Sequence, residues 1–269
     1  MTREDFHVHT TFCDGKDDAE TVVRAAVAQG LTRMGFSGHS HTPHDESYCM
    51  SLASAEEYRA EIGRLRGEYS DKIKILCGLE QDYFSDTDLA PYDYAIGSVH
   101  YIFVGGEYVP VDETPQILLD AAEKHFGGDI YALAECYYAH EAGVIAKTGA
   151  DIVGHFDLIT KFNEGGKLFD ESDRRYVDAA FGALDALLAT GVPFEVNTGA
   201  ITRGYRTSPY PSPFLLKRIA EKGGSVVLSS DSHSAKTLCA KFDECERLCA
   251  SLGLRVESFS PKRRAQDAL

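Results

Sequence analysis

Short apolar runs alternate along this chain with longer stretches of helical spacing, and polar side chains gather where most of the short runs stop. The opening segment is Phe-His-Val-His-Thr-Thr-Phe-Cys-Asp-Gly at 6–15, a short strand that ends in a turn. Asp17, Asp18 and Glu20 suit a helix N-terminus, Val22, Val23, Ala26 and Val27 continue at helical spacing, and Gly30 stops it. A strand over 33–38 leads into His39. A helix follows over 54–69, with Ser54 as N-cap and Glu57 three residues on. Strands at 73–79 and 94–99 end at Glu80 and His100, and Gly105-Gly106 predicts a hairpin. Helices are expected over 114–126 and 130–148, then a strand at 151–154 that ends at His155. A helix over 173–190, a strand at 193–197, a helix over 213–222 and a strand at 226–228 complete the repeat. The last strand runs into Ser229-Ser230-Asp231-Ser232-His233, and a helix over 235–251 precedes a basic tail, Lys262, Arg263 and Arg264, expected to be partly mobile.

The unit of strand then helix recurs about seven times, which implies an α/β fold of parallel strands joined by crossover helices. A closed (β/α)7, TIM-barrel-like arrangement fits better than an open sheet, because polar residues follow nearly every strand and such barrels work at the C-terminal ends of their strands. No Gly-rich phosphate loop stands at a strand-to-helix turn, against a nucleotide-binding doubly wound sheet. No composition break marks a linker, so residues 1–269 are read as a single domain.

Composition narrows the function. The net charge of -15 opposes nucleic-acid binding and attachment to acidic membranes, since a phosphate backbone needs a basic face. The seven cysteines are scattered and lack a CxxC pair, which excludes a zinc finger and points to reduced thiols. The N-terminus lacks an apolar signal core and no apolar run reaches membrane-spanning length, so a cytoplasmic protein is expected.

His7 and His9 are two residues apart, so on a strand both imidazoles project from one face. With Asp14 close behind they form half of a metal site. A lone histidine after a strand is more often a hydrogen-bonded structural residue than a ligand. His7, His9, Asp14, His39, Glu80, His100, His155, Asp231 and His233, however, all fall at strand ends that a barrel gathers at one mouth. Nitrogen and carboxylate donors without cysteine suit zinc, manganese or iron, and nine donors exceed what one ion takes. His41 is a candidate for contact with substrate, whereas His125 and His140 fall inside helices and are expected at the surface.

Six motifs carry a resemblance: His-Val-His-Thr at 7–10, Gly-His-Ser-His at 38–41, Gly-Leu-Glu at 78–80, Gly-Ser-Val-His at 97–100, Gly-His-Phe-Asp at 154–157 and Ser-Asp-Ser-His at 230–233. Together they resemble the polymerase-and-histidinol-phosphatase (PHP) family. The run 154–163 with Glu-Val-Asn-Thr at 195–198 is most similar to its histidinol-phosphate phosphatases of histidine biosynthesis. The resemblance implies a distorted (β/α)7 barrel with a trinuclear centre of zinc, iron or manganese. His7, His9, Glu80 and Asp231 would hold one ion; Glu80 would bridge to a second, held by His100 and His155; Asp14, His39 and His233 would hold the third. Many family members carry histidine where Asp14 stands.

The resemblance further implies a phosphomonoesterase that converts L-histidinol phosphate to L-histidinol by attack of a metal-bridging hydroxide on phosphorus. Arg203 and Lys161 would grip the phosphate, lysine standing where close relatives are expected to carry arginine and lacking its planar fork. His41, Asp231 and His233 are candidates to protonate the leaving oxygen. Divalent ions would leave the mouth net positive despite the acidic exterior, suited to a small phosphorylated substrate. Two alternatives stand beside this reading. One is a PHP phosphoesterase for nucleotides or other small phosphates. The other is a non-catalytic metal-binding module of the kind attached to polymerases, less apt for a chain with a full ligand set and no polymerase portion.

Overall fold

The computed structural model describes residues 4–261; the basic tail expected at 262–264 lies outside them. In chain order the strands are β1 (Glu4–Asp5), β2 (Arg33–Phe36), β3 (Lys74–Asp82), β4 (Tyr94–Ser98), β5 (Tyr101–Val104), β6 (Glu107–Pro110), β7 (Ile152–Val153), β8 (Phe194–Asn197) and β9 (Val226–Ser229). The helices are α1 (Ala19–Ala28), α2 (Leu52–Glu68), α3 (Pro115–Phe126), α4 (Ile130–Thr148), α5 (Arg174–Leu188), α6 (Gly199–Thr202), α7 (Pro213–Glu221) and α8 (Phe242–Ser251). β1, β2, β3, β4, β7, β8 and β9 pair in that order, all parallel. β1 and β9 are drawn together just beyond their ends. The His9 N–H donates to the Ser232 carbonyl at 2.8 Å and the Ser232 N–H to that of His7 at 3.1 Å. The expected α/β barrel is therefore present and nearly closed. β5 and β6 form the Gly105-Gly106 hairpin outside it, both glycines at positive φ.

Alternation along the strands divides apolar residues between two layers. Leu76 of β3, Tyr94 and Ile96 of β4, Ile152 of β7 and Val227 of β9 join Phe6 and Phe259 in an inner cluster. Their strand neighbours Ile75, Cys77, Val153 and Val226 pack outward among the helices. Further along the same inward face the side chains turn polar: Glu80 on β3, Ser98 on β4, Glu195 on β8 and Ser229 on β9 are linked by hydrogen bonds across the barrel in two pairs. An apolar plug thus supports a polar mouth.

Tyr94 ties this plug together, its hydroxyl donating to the Phe6 carbonyl at 2.5 Å and the Phe36 carbonyl at 3.0 Å. Gly78 makes room for its ring, since a Cβ there would lie 2.2 Å from a ring carbon. Gly78→Ala is expected to cost about 1–3 kcal/mol by overpacking. At this chain length that lowers Tm by about 2–12 °C, readable by thermal unfolding.

Several boundaries differ from expectation. α2 is capped by Ser51, whose hydroxyl accepts from the Ser54 N–H at 3.1 Å, so the helix begins before Ser54. β3 runs on past Leu79 to Asp82 because Glu80 pairs with the extended chain at His39. The helix expected over 235–251 is broken: a single 3-10 turn at Ala235–Thr237 is followed by left-handed residues Cys239 (φ 54°) and Lys241 (φ 67°) before α8. The Asp5 carboxylate accepts from the Cys239 N–H at 3.1 Å and so takes that donor out of any helix. His125 and His140 are partly buried rather than free at the surface. His125 lies 3.3 Å from Glu107, and His140 packs on Tyr83 at 5.2 Å between centroids. Among the described residues no helix is long and apolar enough to cross a membrane.

Candidate metal centre

Glu80 stands two residues beyond Gly78 on the inward face of β3 and is 1% exposed. Ser98 Oγ donates to its Oε1 at 2.7 Å. Five imidazoles converge on this carboxylate. Oε2 lies 3.2 Å from His7 Nε2, 3.5 Å from His9 Nε2 and 2.9 Å from His39 Nδ1. Oε1 lies 2.9 Å from His155 Nε2 and 3.4 Å from His100 Nε2. Asp231 Oδ1 borders the cluster on one side, 3.3 Å from His9 Nε2 and 3.7 Å from His7 Nε2. Asp14 borders it on the other, 3.0 Å from His233 Nε2 and 3.6 Å from both His39 Nε2 and His9 Nδ1. The nine candidate ligands are thus brought to one place, although the regular part of the first strand ends at Asp5 and His7 and His9 follow in extended chain.

Three groups among them have donor atoms within 4.8 Å of one another: His9, Asp14, His39 and His233; His7, His9 and Glu80; His39, Glu80 and His100. Among the described residues, His7 Nε2, His9 Nε2 and Glu80 Oε2 are buried with no hydrogen-bond partner. A buried polar atom left unpaired costs about 1–3 kcal/mol. Donor atoms that sit close together yet are misaligned for bonding to one another fit a shared cation, and nitrogen and carboxylate donors suit a divalent one.

Burial would lower His7, His39 and His100, but the carboxylates beside them outweigh it and raise all three, His100 to about 10, so protons balance the carboxylate charge there where no cation does. Burial, with neighbouring His233 and His39, pushes His9 down to about 3, so its imidazole is neutral, the form that binds a cation. Burial would raise the Glu80 carboxyl, but His39, His7 and His100 outweigh it and hold it well below the carboxylate range. Burial likewise opposes ionisation of Asp231, and the Arg203 guanidinium and His7 overcome it. An ionised Asp231 has no proton to donate.

Buried carboxylates behind the ligands were not singled out from the sequence. Glu195 accepts from His7 Nδ1–H at 2.8 Å, from the His155 N–H at 2.5 Å and from Asn197 at 2.8 Å. Asp82 lies 3.2 Å from both Nδ1 and the backbone N of His100. Such partners set the tautomer and leave the opposite ring nitrogen for a metal. Glu195 carried a signal, a lone acid among Val192, Phe194 and Val196. Asp82 carries no such signal, because the apolar run of its strand ends at Leu79.

A cavity of about 450 Å³ opens over the cluster, walled by Tyr48, Tyr101, Tyr205, Lys161 and Arg203. Lys161 Nζ donates to the Asp112 carbonyl at 2.7 Å and to its carboxylate at 3.0 Å, and stands 5.1 Å from the centre of the Tyr205 ring. Arg203 Nη2 donates to Asp231 Oδ2 at 2.9 Å. His41 is turned away, its Nε2 3.0 Å from Glu46, and does not line the cavity.

Comparison with known proteins agrees with this architecture. The PHP domain family model matches residues 5–199. A probable histidinol-phosphatase of Deinococcus radiodurans is 29% identical over 273 residues, covering 96% of this chain and 97% of its own length. The histidinol-phosphatase of Bacillus subtilis is 28% identical over 262 residues, covering 87% and 95%. A crystal structure of a histidinol phosphate phosphatase from Lactococcus lactis, complexed with zinc, L-histidinol and phosphate, has a TM-score of 0.68 at 24% identity, covering 96% of this chain and 97% of that one. At that identity the match speaks to the fold. The family match spans most of the barrel and the segments that supply seven of these ligands, His7, His9, Asp14, His39, Glu80, His100 and His155, and the chain belongs to the PHP domain family.

Proposed function

We propose that this chain, as a single domain over residues 1–269, is a metal-dependent phosphomonoesterase that converts L-histidinol phosphate to L-histidinol and phosphate in histidine biosynthesis. The observation that carries the proposal is Glu80, whose two oxygens lie among five histidine nitrogens on the floor of a cavity walled by Lys161 and Arg203. Support for the substrate comes from the curated relatives and from the Lactococcus lactis structure that holds zinc, L-histidinol and phosphate.

In this reading His7, His9, Glu80 and Asp231 hold one ion, Glu80, His100 and His155 a second, and Asp14, His39 and His233 a third. Zinc, iron and manganese all suit the donor set. Such ions supply Lewis acidity toward phosphoryl oxygens and a nucleophile generated from water. The protein's own side chains do the rest. Glu195 and Asp82 keep Nε2 of His7 and His100 turned to the centre. Lys161, with two of its N–H groups held by Asp112, aims its remaining charge at the cavity. Of the three candidates to protonate the leaving oxygen, His41 faces Glu46 and Asp231 is ionised; His233 would serve only through Nδ1, which lies 3.0 Å from the Asp231 carbonyl, because Nε2 is turned to Asp14 and the ion they would share.

Phosphate release from a panel of monoesters, including L-histidinol phosphate, nucleotides and sugar phosphates, tests the proposal on metal-loaded and chelator-treated protein. L-histidinol phosphate should be turned over most efficiently and chelation should stop the reaction. A preference for nucleotides, or turnover that survives complete metal removal, would contradict it.

Lys161→Ala is expected to weaken inhibition by inorganic phosphate about 10-fold or more, the worth of one charge-assisted hydrogen bond. Inhibition by L-histidinol should change little. The two inhibition constants, measured side by side, separate a phosphate contact from a contact with the rest of the substrate.

A further inference from the structure

Asp231 is held in an unusual way. It is a non-glycine residue at φ 49°, a conformation that costs roughly 1–3 kcal/mol and persists where its surroundings fix it. Two contacts from one side chain do so. Arg203 Nη1 donates to the Asp231 carbonyl at 3.0 Å, and Nη2 donates to Asp231 Oδ2 at 2.9 Å. With Oδ2 engaged, Oδ1 is the oxygen that faces His9 at 3.3 Å, His233 at 3.5 Å and His7 at 3.7 Å.

The local fold is shaped for this grip. β8 ends at Asn197, and α6 brings the chain round so that Arg203, at its C-cap, reaches back over Gly199 toward the end of β9. The Arg203 N–H donates to the Gly199 carbonyl at 3.0 Å. A Cβ on Gly199 would lie 2.6 Å from Arg203 Nη2 and 2.8 Å from Asp231 Oδ2. Gly199 is not at positive φ, so its backbone does not demand glycine. Glycine serves here to leave space for the Arg203–Asp231 pair.

We infer that Arg203 is a positioning residue for Asp231: its planar fork fastens both the backbone and the outer carboxylate oxygen and presents Oδ1 to the ion shared with His7, His9 and Glu80. The inference rests on the metal-centre reading above. It adds a role that a phosphate contact alone does not require, and it accounts for arginine at this position, because a lysine ammonium lacks the fork that spans the two oxygens. Nη1 also lies 3.3 Å from His233 Nδ1, and an N–H group beyond these contacts would meet a phosphate oxygen, so one side chain links the ligand to the substrate.

Zinc affinity tests the inference, measured by chelator competition without substrate or phosphate, on wild type and on Arg203→Ala, Arg203→Lys and Gly199→Ala. Circular dichroism on each variant reports the fold. Loss of a partner behind a metal ligand typically costs about 10–100-fold in metal affinity. Arg203→Ala should lose that much for one bound ion, and Arg203→Lys should recover little of it. Gly199→Ala, which keeps Arg203 but pushes the guanidinium off Asp231, should also weaken that ion. Folded Arg203→Ala and Arg203→Lys proteins that bind zinc as tightly as wild type would overturn the positioning role, whatever their phosphate inhibition. Wild-type protein that takes up no zinc would overturn the metal-centre reading and this inference with it.

Discussion

Glu80→Gln is expected to reduce phosphatase activity by more than about 1000-fold, above the loss typical of removing one charge-stabilising donor in an active site. The reason is its place in the cluster. Oε1 and Oε2 face different sets of histidines, His100 and His155 on one side and His7, His9 and His39 on the other. An amide is neutral and offers one oxygen, so it cannot serve both sets. Metal content should fall with activity. Circular dichroism should stay close to wild type, because the apolar plug of Phe6, Leu76, Tyr94, Ile96, Ile152 and Val227 lies beneath this residue and is untouched. Full metal occupancy and near-normal turnover in the variant would rule out the bridging role.

Glu195→Ala should act on stability as well as activity. Its carboxylate is fully buried and accepts from His7, Asn197, the His155 N–H and Ser229. Removing one partner of a buried charged network costs about 3–5 kcal/mol, here because four donors lose their acceptor together. At roughly 2–4 °C per kcal/mol for a chain of this size, Tm should fall by roughly 6–20 °C. The His7 ring also loses the contact that sets its tautomer, so metal affinity should drop about 10–100-fold. Thermal unfolding of metal-free protein, beside zinc affinity, separates the two effects. An unchanged Tm would show that Glu195 is not the anchor of this network.

The candidate ligands were legible because a barrel turns sequence order into spatial convergence. Histidines and acids that end successive apolar runs must meet at the mouth, whatever the exact ends of the strands. This tolerance shows at His7 and His9, which reach the centre although the regular strand stops at Asp5. Residues whose role depends on a partner distant in sequence were harder to read. Glu195 stands in a quoted motif, yet its bond to His7 spans 188 residues. Asp82 was missed because hydrophobic alternation fades at Glu80, while backbone pairing carries the strand on. Ser51 outcompeted Ser54 as a cap although both side chains suit the position. The break before α8 depends on left-handed Cys239 and Lys241, which carry no glycine to announce the turn. The family resemblance implies Arg203 as a phosphate cation; its grip on Asp231 joins two strand ends that only the closed barrel brings together.

Anomalous X-ray diffraction at the zinc edge, on crystals of the zinc-loaded protein, tests the metal centre most directly. Zinc peaks are expected at about 2.0–2.2 Å from the ring nitrogens and carboxylate oxygens of His7, His9, Asp14, His39, Glu80, His100, His155, Asp231 and His233, with Glu80 shared between two of them. Peaks confined to other parts of the chain, or a fully loaded protein with these side chains bonded only to one another, would contradict it.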